Sequence, residues 1–318
     1  MKRKVLLCLA AATLLAVSSL LSGCSACSRD LESSVPAPIS GSMPPVSSHA
    51  APPAPPDSEP SDGSTAHSEI PTLAMSADFL QIGALNQEMV KWGPGTFQDD
   101  KGRSTACIGL QQQYEKYNVA FIGPEDSNTI TLSFDQGYEN GYTAPILDVL
   151  KEKGVTAIFF LTGHYLRTQP ELVQRMIDEG HILGNHSNSH KVYASQLSLE
   201  ESFEDAKWMQ DHLRDDFGYE MRLFRFPEGQ FCEQSLALIQ QMGYKSVFWS
   251  FGYNDWNPDA QPTHEAALAR ITKYLHPGEI MLLHSVSKTN AEILPEVIDL
   301  MREKGYEVGP CVGLLEGQ

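Results

Sequence analysis

Basic side chains are in short supply: 23 Lys and Arg stand against 40 Asp and Glu in 318 residues, a formal net charge of −17. Nucleic acid is disfavoured as a partner, because neutralising phosphates needs clustered Lys and Arg. Cysteine is scarce as well, with six in the chain. Cys8 and Cys24 lie at the N-terminal end, which leaves Cys27, Cys107, Cys232 and Cys311. No CxxC pair occurs in the part that reads as folded, so zinc held through sulfur is not expected. Four thiols can pair in three ways or stay free in a core. No polybasic flank follows Leu21, which argues against a stop-transfer helix.

What is present begins with an export signal. Lys2, Arg3 and Lys4 precede an apolar run from Val5 to Leu21, and Leu21-Ser22-Gly23-Cys24 supplies small residues before a cysteine. This leader, 1–23, resembles the lipobox of bacterial lipoproteins, in which Cys24 carries the lipid. The expectation is an exported protein on the outer face of the cell membrane, touching lipid only through that anchor; a secreted protein is the alternative. Loss of Lys2, Arg3 and Lys4 would take the net charge from −17 to −20. Residues 24–75 are rich in Pro, Ser and Ala and hold too little apolar surface to offset their ordering entropy, so they read as a disordered tether.

Residues 76–128 read as a cap packed on the domain. A short helix is expected over Ala84–Trp92, another over Leu110–Tyr117, and a strand over Val119–Ile122. From 129 to 318 strand and helix patterns alternate six or seven times. The strands fall at Thr131–Phe134, Val155–Leu161, His181–Gly184, Arg222–Phe226, Lys245–Ser250, Glu279–His284 and Tyr306–Val308. Ser198-Leu199-Glu200-Glu201 is a capping box, and Pro170 opens a helix. That order implies an α/β fold, a distorted (β/α) barrel of about seven parallel strands.

Candidate chemistry falls after the strands. Asp135 ends the first, and His186 and His190 stand four apart, a spacing that reaches one cation if the segment is helical or tightly turned. Arg225, Asp255 and His284 follow later strands, so all would gather on one rim. Two imidazoles beside a carboxylate suggest water activated by a metal, hence hydrolysis. Zinc is the first choice for such nitrogens, with cobalt or manganese also able to serve.

Five ordered motifs carry a family resemblance: Ser133-Phe134-Asp135-Gln136-Gly137, His186-Ser187-Asn188-Ser189-His190, Arg225-Phe226-Pro227-Glu228-Gly229, Asn254-Asp255-Trp256 and Leu282-Leu283-His284-Ser285. From about Ile130 onward the chain resembles the polysaccharide deacetylase, or NodB-homology, domain of carbohydrate esterase family 4. Phe134 to Thr143, Thr162-Gly163-His164-Tyr165 and Lys91-Trp92-Gly93 are similar to the muramic δ-lactam de-N-acetylases of sporulating bacteria. The resemblance implies removal of acetyl from N-acetylmuramic acid in peptidoglycan glycan strands, with the lactam closing afterwards; a monomer is expected.

The resemblance also implies roles. A divalent metal, most simply zinc, sits on His186 and His190; Asp135 is the base and His284 the acid; Arg225 orients Asp135 and Asp255 orients His284. The backbone of Glu228 faces the oxyanion, Trp256 and Leu282 line the acetyl pocket, and Tyr138 contacts substrate. Gln136 stands where the family usually has a second Asp as third metal ligand. A neutral amide there weakens cation binding by about 1–3 kcal/mol relative to a carboxylate. Either the metal binds through the two histidines and waters with lower affinity, or Gln136 contacts substrate and the metal is dispensable. Arg167 and Arg222 are candidates for the lactyl carboxylate, although exposed arginines are common. Glu139 and Asn140 lie close to the site by sequence. His164, His181 and His212 lie outside the motifs and read as surface or core residues, and Trp208 as core. Two alternatives are an N-acetylglucosamine deacetylase and a catalytically weak glycan-binding protein.

Overall fold

A computed structural model of the chain describes residues 73, 75–311 and 313–314. The leader with Cys24, Cys27 and nearly all of the tether lie outside the described residues. Among the described residues no helix is long and apolar enough to cross a membrane.

Eight strands form one parallel sheet: β1 (Val119–Ala120), β2 (Thr129–Gln136), β3 (Ile158–Leu161), β4 (Ile182–Asn185), β5 (Leu223–Phe224), β6 (Lys245–Val247), β7 (Ile280–His284) and β8 (Glu307–Val308). Their order is β8-β2-β3-β4-β5-β6-β1, with β7 paired to β2 above β8. The sheet curls, and its gap is spanned where Phe251 bridges Met281 and Leu282 N–H donates to the Phe251 carbonyl at 2.8 Å. The (β/α) barrel expected from the alternation is the observed architecture, incompletely closed.

β2 is the central strand, and every residue from Ile130 to Gln136 is buried. Its sequence alternates, Thr131, Ser133 and Asp135 on one face and Ile130, Leu132 and Phe134 on the other, and both faces are covered, so the polar side chains must find partners inside. Register does the positioning: Asp135 pairs with His284 on β7 and with Phe160 on β3, and Asn185 pairs with Leu161 and Phe224. The carboxyl ends of these strands are therefore level.

The helices start and stop where local chemistry dictates. Helix α3 (Thr143–Lys153) ends on Gly154 at φ 61°, α5 (Pro170–Asp178) has Pro at its first position, and α6 (Leu199–Phe217) opens with the Ser198–Glu201 capping box. The shell also contains α1 (Phe79–Gly83), α2 (Thr105–Tyr114), α4 (Gly163–Thr168), α7 (Glu233–Gln241), α8 (His264–Tyr274) and α9 (Lys288–Glu303).

The N-terminal segment departs from expectation. No helix forms over 84–92; α1 forms earlier, because Asp78 Oδ1 accepts from Gln81 N at 3.0 Å and caps it there. Val90–Lys91 instead pairs antiparallel with Gln230–Phe231. The strand expected over 119–122 shortens to β1, which joins the main sheet beside β6. Residues 76–128 thus contribute a strand of the sheet as well as surface helices.

The thiols are settled for three of the cysteines: Cys107, Cys232 and Cys311 are buried and unpaired.

Candidate active site

Asp135 leaves β2 into a concave site and is held from below by Arg225. Arg225 Nη1 donates to Asp135 Oδ1 at 2.8 Å, while Nη2 donates to Ser133 Oγ at 2.9 Å and to the Phe248 carbonyl at 3.0 Å. Nε donates to the Val247 carbonyl at 3.0 Å, and the guanidinium lies over the Phe160 ring, 4.0 Å from its centroid. A fully buried guanidinium demands this many acceptors, since burying a charge without partners is costly. Burial pushes the Asp135 carboxyl up, but the charge of Arg225, aided by His186 and His284, outweighs it and holds Asp135 below the usual carboxylate range. Asp135 is ionised near neutral pH.

That arrangement needs a glycine beside it. A Cβ on Gly184 would come within 2.4 Å of the Phe160 ring, the same ring that supports Arg225. Gly184→Ala should therefore cost about 1–3 kcal/mol by overpacking. Urea titration would register this as a lower midpoint at unchanged slope.

The histidine pair lies in a turn after β4, not in a helix, with Ser187 at φ 69° and His190 at φ 55°. The tight turn brings the two rings together, 4.9 Å between centroids and steeply inclined at 75°. Gly163 admits the turn: its N–H donates to the Ser187 carbonyl at 3.1 Å, and a Cβ there would overlap Asn188. His186 Nδ1 lies 2.8 Å from the Arg225 carbonyl, which only accepts, so Nδ1 carries the proton. Burial drives the His186 pKa down to about 4, and the ring is neutral. Its Nε2 lone pair then lies 3.5 Å from Asp135 Oδ2. Two acceptors so placed call for something positive between them, a water's hydrogen or a cation.

His284 closes the other side. Its Nδ1 donates to Asp255 Oδ1 at 2.8 Å, and its backbone N–H donates to Asp255 Oδ2 at 2.8 Å. Asn290 Nδ2 donates to the same oxygen at 2.6 Å, and the Tyr253 hydroxyl donates to Asn290 Oδ1. Burial pulls the His284 pKa down, but the Asp255 carboxylate more than offsets this and raises it above the ordinary histidine value. With Nδ1 committed to Asp255, Nε2 is the nitrogen left for the cavity, which His284 lines.

The cavity measures about 880 Å³. Asp135, His186, His190 and His284 all line it, as do Tyr138, Glu228, Trp256 and Leu282. Tyr138 and Trp256 are 44% and 58% exposed, which leaves ring faces free for a sugar to stack on. Glu228 sits at φ 56° in the turn after Arg225, a backbone state uncommon outside glycine and concentrated at functional sites.

Residues 122–247 match the polysaccharide deacetylase family. Over 237 residues the chain is 38% identical to peptidoglycan-N-acetylmuramic acid deacetylase PdaA of Bacillus subtilis, covering 74% of this chain and 89% of that one. The chain belongs to the polysaccharide deacetylase family. The solved structure of Bacillus subtilis PdaA, a family 4 carbohydrate esterase, matches with a TM-score of 0.67 at 36% identity, over 71% of this chain and 96% of that one. A 30.6 kDa protein of Geobacillus stearothermophilus, itself uncharacterised, is 40% identical over 226 residues, covering 70% of this chain and 84% of its own.

As a polysaccharide deacetylase the chain should accommodate a metal, and its donor set can be weighed. His186 and His190 both line the cavity, and His186 presents a neutral Nε2 whose other nitrogen is fixed by a carbonyl, the arrangement common in metal-bound histidines. Gln136 is fully buried and does not line the cavity. Its Nε2 donates to Ser285 Oγ at 2.5 Å, and its Oε1 has no hydrogen-bond partner among the described residues. Among those residues no group of three His, Cys, Asp or Glu side chains is disposed to hold a metal. Two imidazoles, completed by water, fit a weakly held cation.

The remaining candidates of this deacetylase separate into scaffold and rim. Glu139 accepts from the Tyr165 hydroxyl and the Gly141 N–H, and Asn140 donates to the Val286 carbonyl, so both brace the loop after β2. Arg167 lies over the Trp208 ring and donates to Asn188 Oδ1 at 2.7 Å. Trp208 is half-buried and also stacks on His212. His181 is buried, as expected, whereas His164 lines the cavity rim. Sequence reasoning passed over Ser133 and Asn290. Ser133 had a signal: it stands two residues before Asp135 on the same face of a buried strand, where a hydroxyl needs a partner.

Proposed function

We propose that this protein removes the acetyl group from N-acetylmuramic acid residues of peptidoglycan glycan strands. The observation that carries the reading is the pairing within one cavity of Asp135, ionised by Arg225, with His284, protonated by Asp255. A base and an acid with separated pKa values are what amide hydrolysis requires. The muramic assignment draws on the likeness to PdaA, which bears that activity in its name.

In the reaction Asp135 takes a proton from water as its oxygen attacks the acetamide carbonyl carbon. Arg225 holds the carboxylate in place throughout. The backbone at Glu228 faces the developing oxyanion. His284 then donates its Nε2 proton to the departing nitrogen as the C–N bond breaks, leaving acetate and the free amine. Asp255 keeps the imidazole in the tautomer that can do this. A divalent cation held by His186 and His190, zinc being the first choice, would polarise the carbonyl and acidify the water when bound. Trp256 and Leu282 line the acetyl pocket, and Tyr138 offers its ring to the sugar.

This division of labour fixes the pH profile of kcat/KM. Activity requires Asp135 deprotonated, so the acid limb lies below the ordinary aspartate range, where Arg225 has moved it. It also requires His284 protonated, so the alkaline limb lies above the ordinary histidine value. Asp255→Asn should draw that alkaline limb down toward acid and lower the plateau. A profile whose alkaline limb does not move would remove His284 as the acid.

Export, a lipid anchor at Cys24 and a monomeric state complete the proposal; they draw on the leader and on the acidic, tethered composition. The deciding experiment incubates the protein with stem-peptide-free glycan and analyses digests by mass spectrometry. Loss of acetyl from muramic residues, with or without cyclisation, is expected. Acetate from chitooligosaccharide alone would move the assignment to N-acetylglucosamine.

A further inference from the structure

The turn that carries both histidines has four consecutive backbone N–H groups, and none of them enters a helix or sheet. Ser187 is buried and Asn188 half-buried, while Ser189 and His190 are exposed, and the acceptors these amides find fix the turn's shape. Ser187 N donates to Asn185 Oδ1 at 2.8 Å, and His190 N donates to Ser187 Oγ at 2.8 Å. These two acceptors belong to the turn itself. The middle pair is different: Asn188 N donates to Asp205 Oδ2 at 2.9 Å and Ser189 N to Asp205 Oδ1 at 3.1 Å.

Asp205 lies on α6, seventeen and sixteen residues away from the amides it accepts. Its neighbour Ala206 accepts from Asn185 Nδ2 at 2.9 Å, so two successive helix residues hold the entry and the middle of the turn. The Tyr193 hydroxyl, just beyond the turn, also donates to Asp205 Oδ2, at 2.9 Å. One carboxylate therefore takes three donors, two from the turn and one from the chain leaving it. Only a carboxylate offers two acceptor oxygens to such a set; an asparagine would turn an amine toward one of the N–H groups.

The turn needs such a hold. Ser187 and His190 both sit at positive φ, a region that residues other than glycine occupy sparsely. Without outside acceptors the amides would favour solvent or a helical turn, and the two rings would lose their mutual angle.

We propose that Asp205 is a positioning residue for the reaction: its carboxylate clamps the Asn188 and Ser189 amides and so fixes the relative orientation of His186 and His190. The inference rests on the de-N-acetylase reading, in which those imidazoles hold the cation. Asp205 touches neither substrate nor metal. It acts through the backbone between the two ligands.

The test compares the full chain with Asp205→Ala, Asp205→Asn and Tyr193→Phe. Zinc chloride alone is titrated by calorimetry, amide exchange is followed over 186–190, and kcat and KM are measured on stem-peptide-free glycan. Asp205→Ala should weaken zinc by about 10- to 100-fold, the usual effect of removing an outer-shell partner. Exchange at Asn188 and Ser189 should speed by at least about tenfold, and kcat should fall while KM stays within about twofold. Asp205→Asn should fall between, and Tyr193→Phe should keep the zinc affinity.

Unchanged exchange in Asp205→Ala, or faster exchange with zinc affinity and kcat intact, overturns the proposal. Should Asp205→Ala not fold, Asp205→Asn decides by the same criteria. A parent chain that neither binds zinc nor releases acetyl sinks the de-N-acetylase reading instead, and the exchange data still report whether Asp205 holds the turn.

Discussion

Asp135→Asn should lower kcat by about two to four orders of magnitude, the range that a positioned general base supplies. The substitution keeps size and shape, and the asparagine Oδ1 can still accept from Arg225 Nη1, so the cavity keeps its walls. What it removes is the anion. An amide cannot take the proton of the attacking water, and the residual rate comes from the acid, the oxyanion donor and any bound cation. Glycan binding should survive, because Tyr138 and Trp256 lie on the rim, clear of the Asp135–Arg225 pair. Single-turnover assays with excess enzyme, together with fluorescence titration of the inactive variant by glycan fragments, separate chemistry from binding. A variant that loses both would point to a collapsed site. One that keeps its rate would remove Asp135 as the base.

Much of this site was legible because the fold does the gathering. Once strands alternate with helices, each residue at a strand's carboxyl end is carried to one rim, and Asp135, His186, Arg225 and His284 all occupy such positions. Asp255 was legible only through its motif, since it lies in a loop whose path no periodicity gives; its burial and its three donors come from tertiary packing. The histidine spacing left helix and turn open, and Asp205, distant in sequence, is part of what selects the turn. The strand expected over 222–226 shrinks to β5 because Phe226 and Pro227 are drawn into the turn that presents Glu228. Gln136 could not be placed from sequence either: its partner Ser285 is 149 residues away. The N-terminal region misled most, because Gly93-Pro94-Gly95 marks an ending equally well for a helix or for the two-residue strand that precedes it.

Arg225→Met should destabilise the protein by about 3–5 kcal/mol near neutral pH, because it leaves a buried carboxylate without its counter-charge. Arg225 is fully buried and Asp135 nearly so, so bulk solvent screens the loss poorly. The variant should also change how stability depends on acid. In the parent chain the folded pKa of Asp135 is depressed, so its contribution is present above the unfolded aspartate pKa and is lost as pH falls through the folded value. With Arg225 gone, burial is the dominant influence and raises the folded pKa above the unfolded one. The neutral acid is then the form the fold prefers, and stability declines as pH rises from the unfolded pKa to the folded one. Urea titrations across the acid range should therefore slope in opposite directions for the two proteins. Adding Asp135→Asn to Arg225→Met removes the stranded charge and should recover part of the loss, since the two residues are in direct contact and their effects cannot be additive. If Arg225→Met and the double variant are equally unstable, the cost lies in the guanidinium's bonds to the Val247 and Phe248 carbonyls, not in its charge on Asp135.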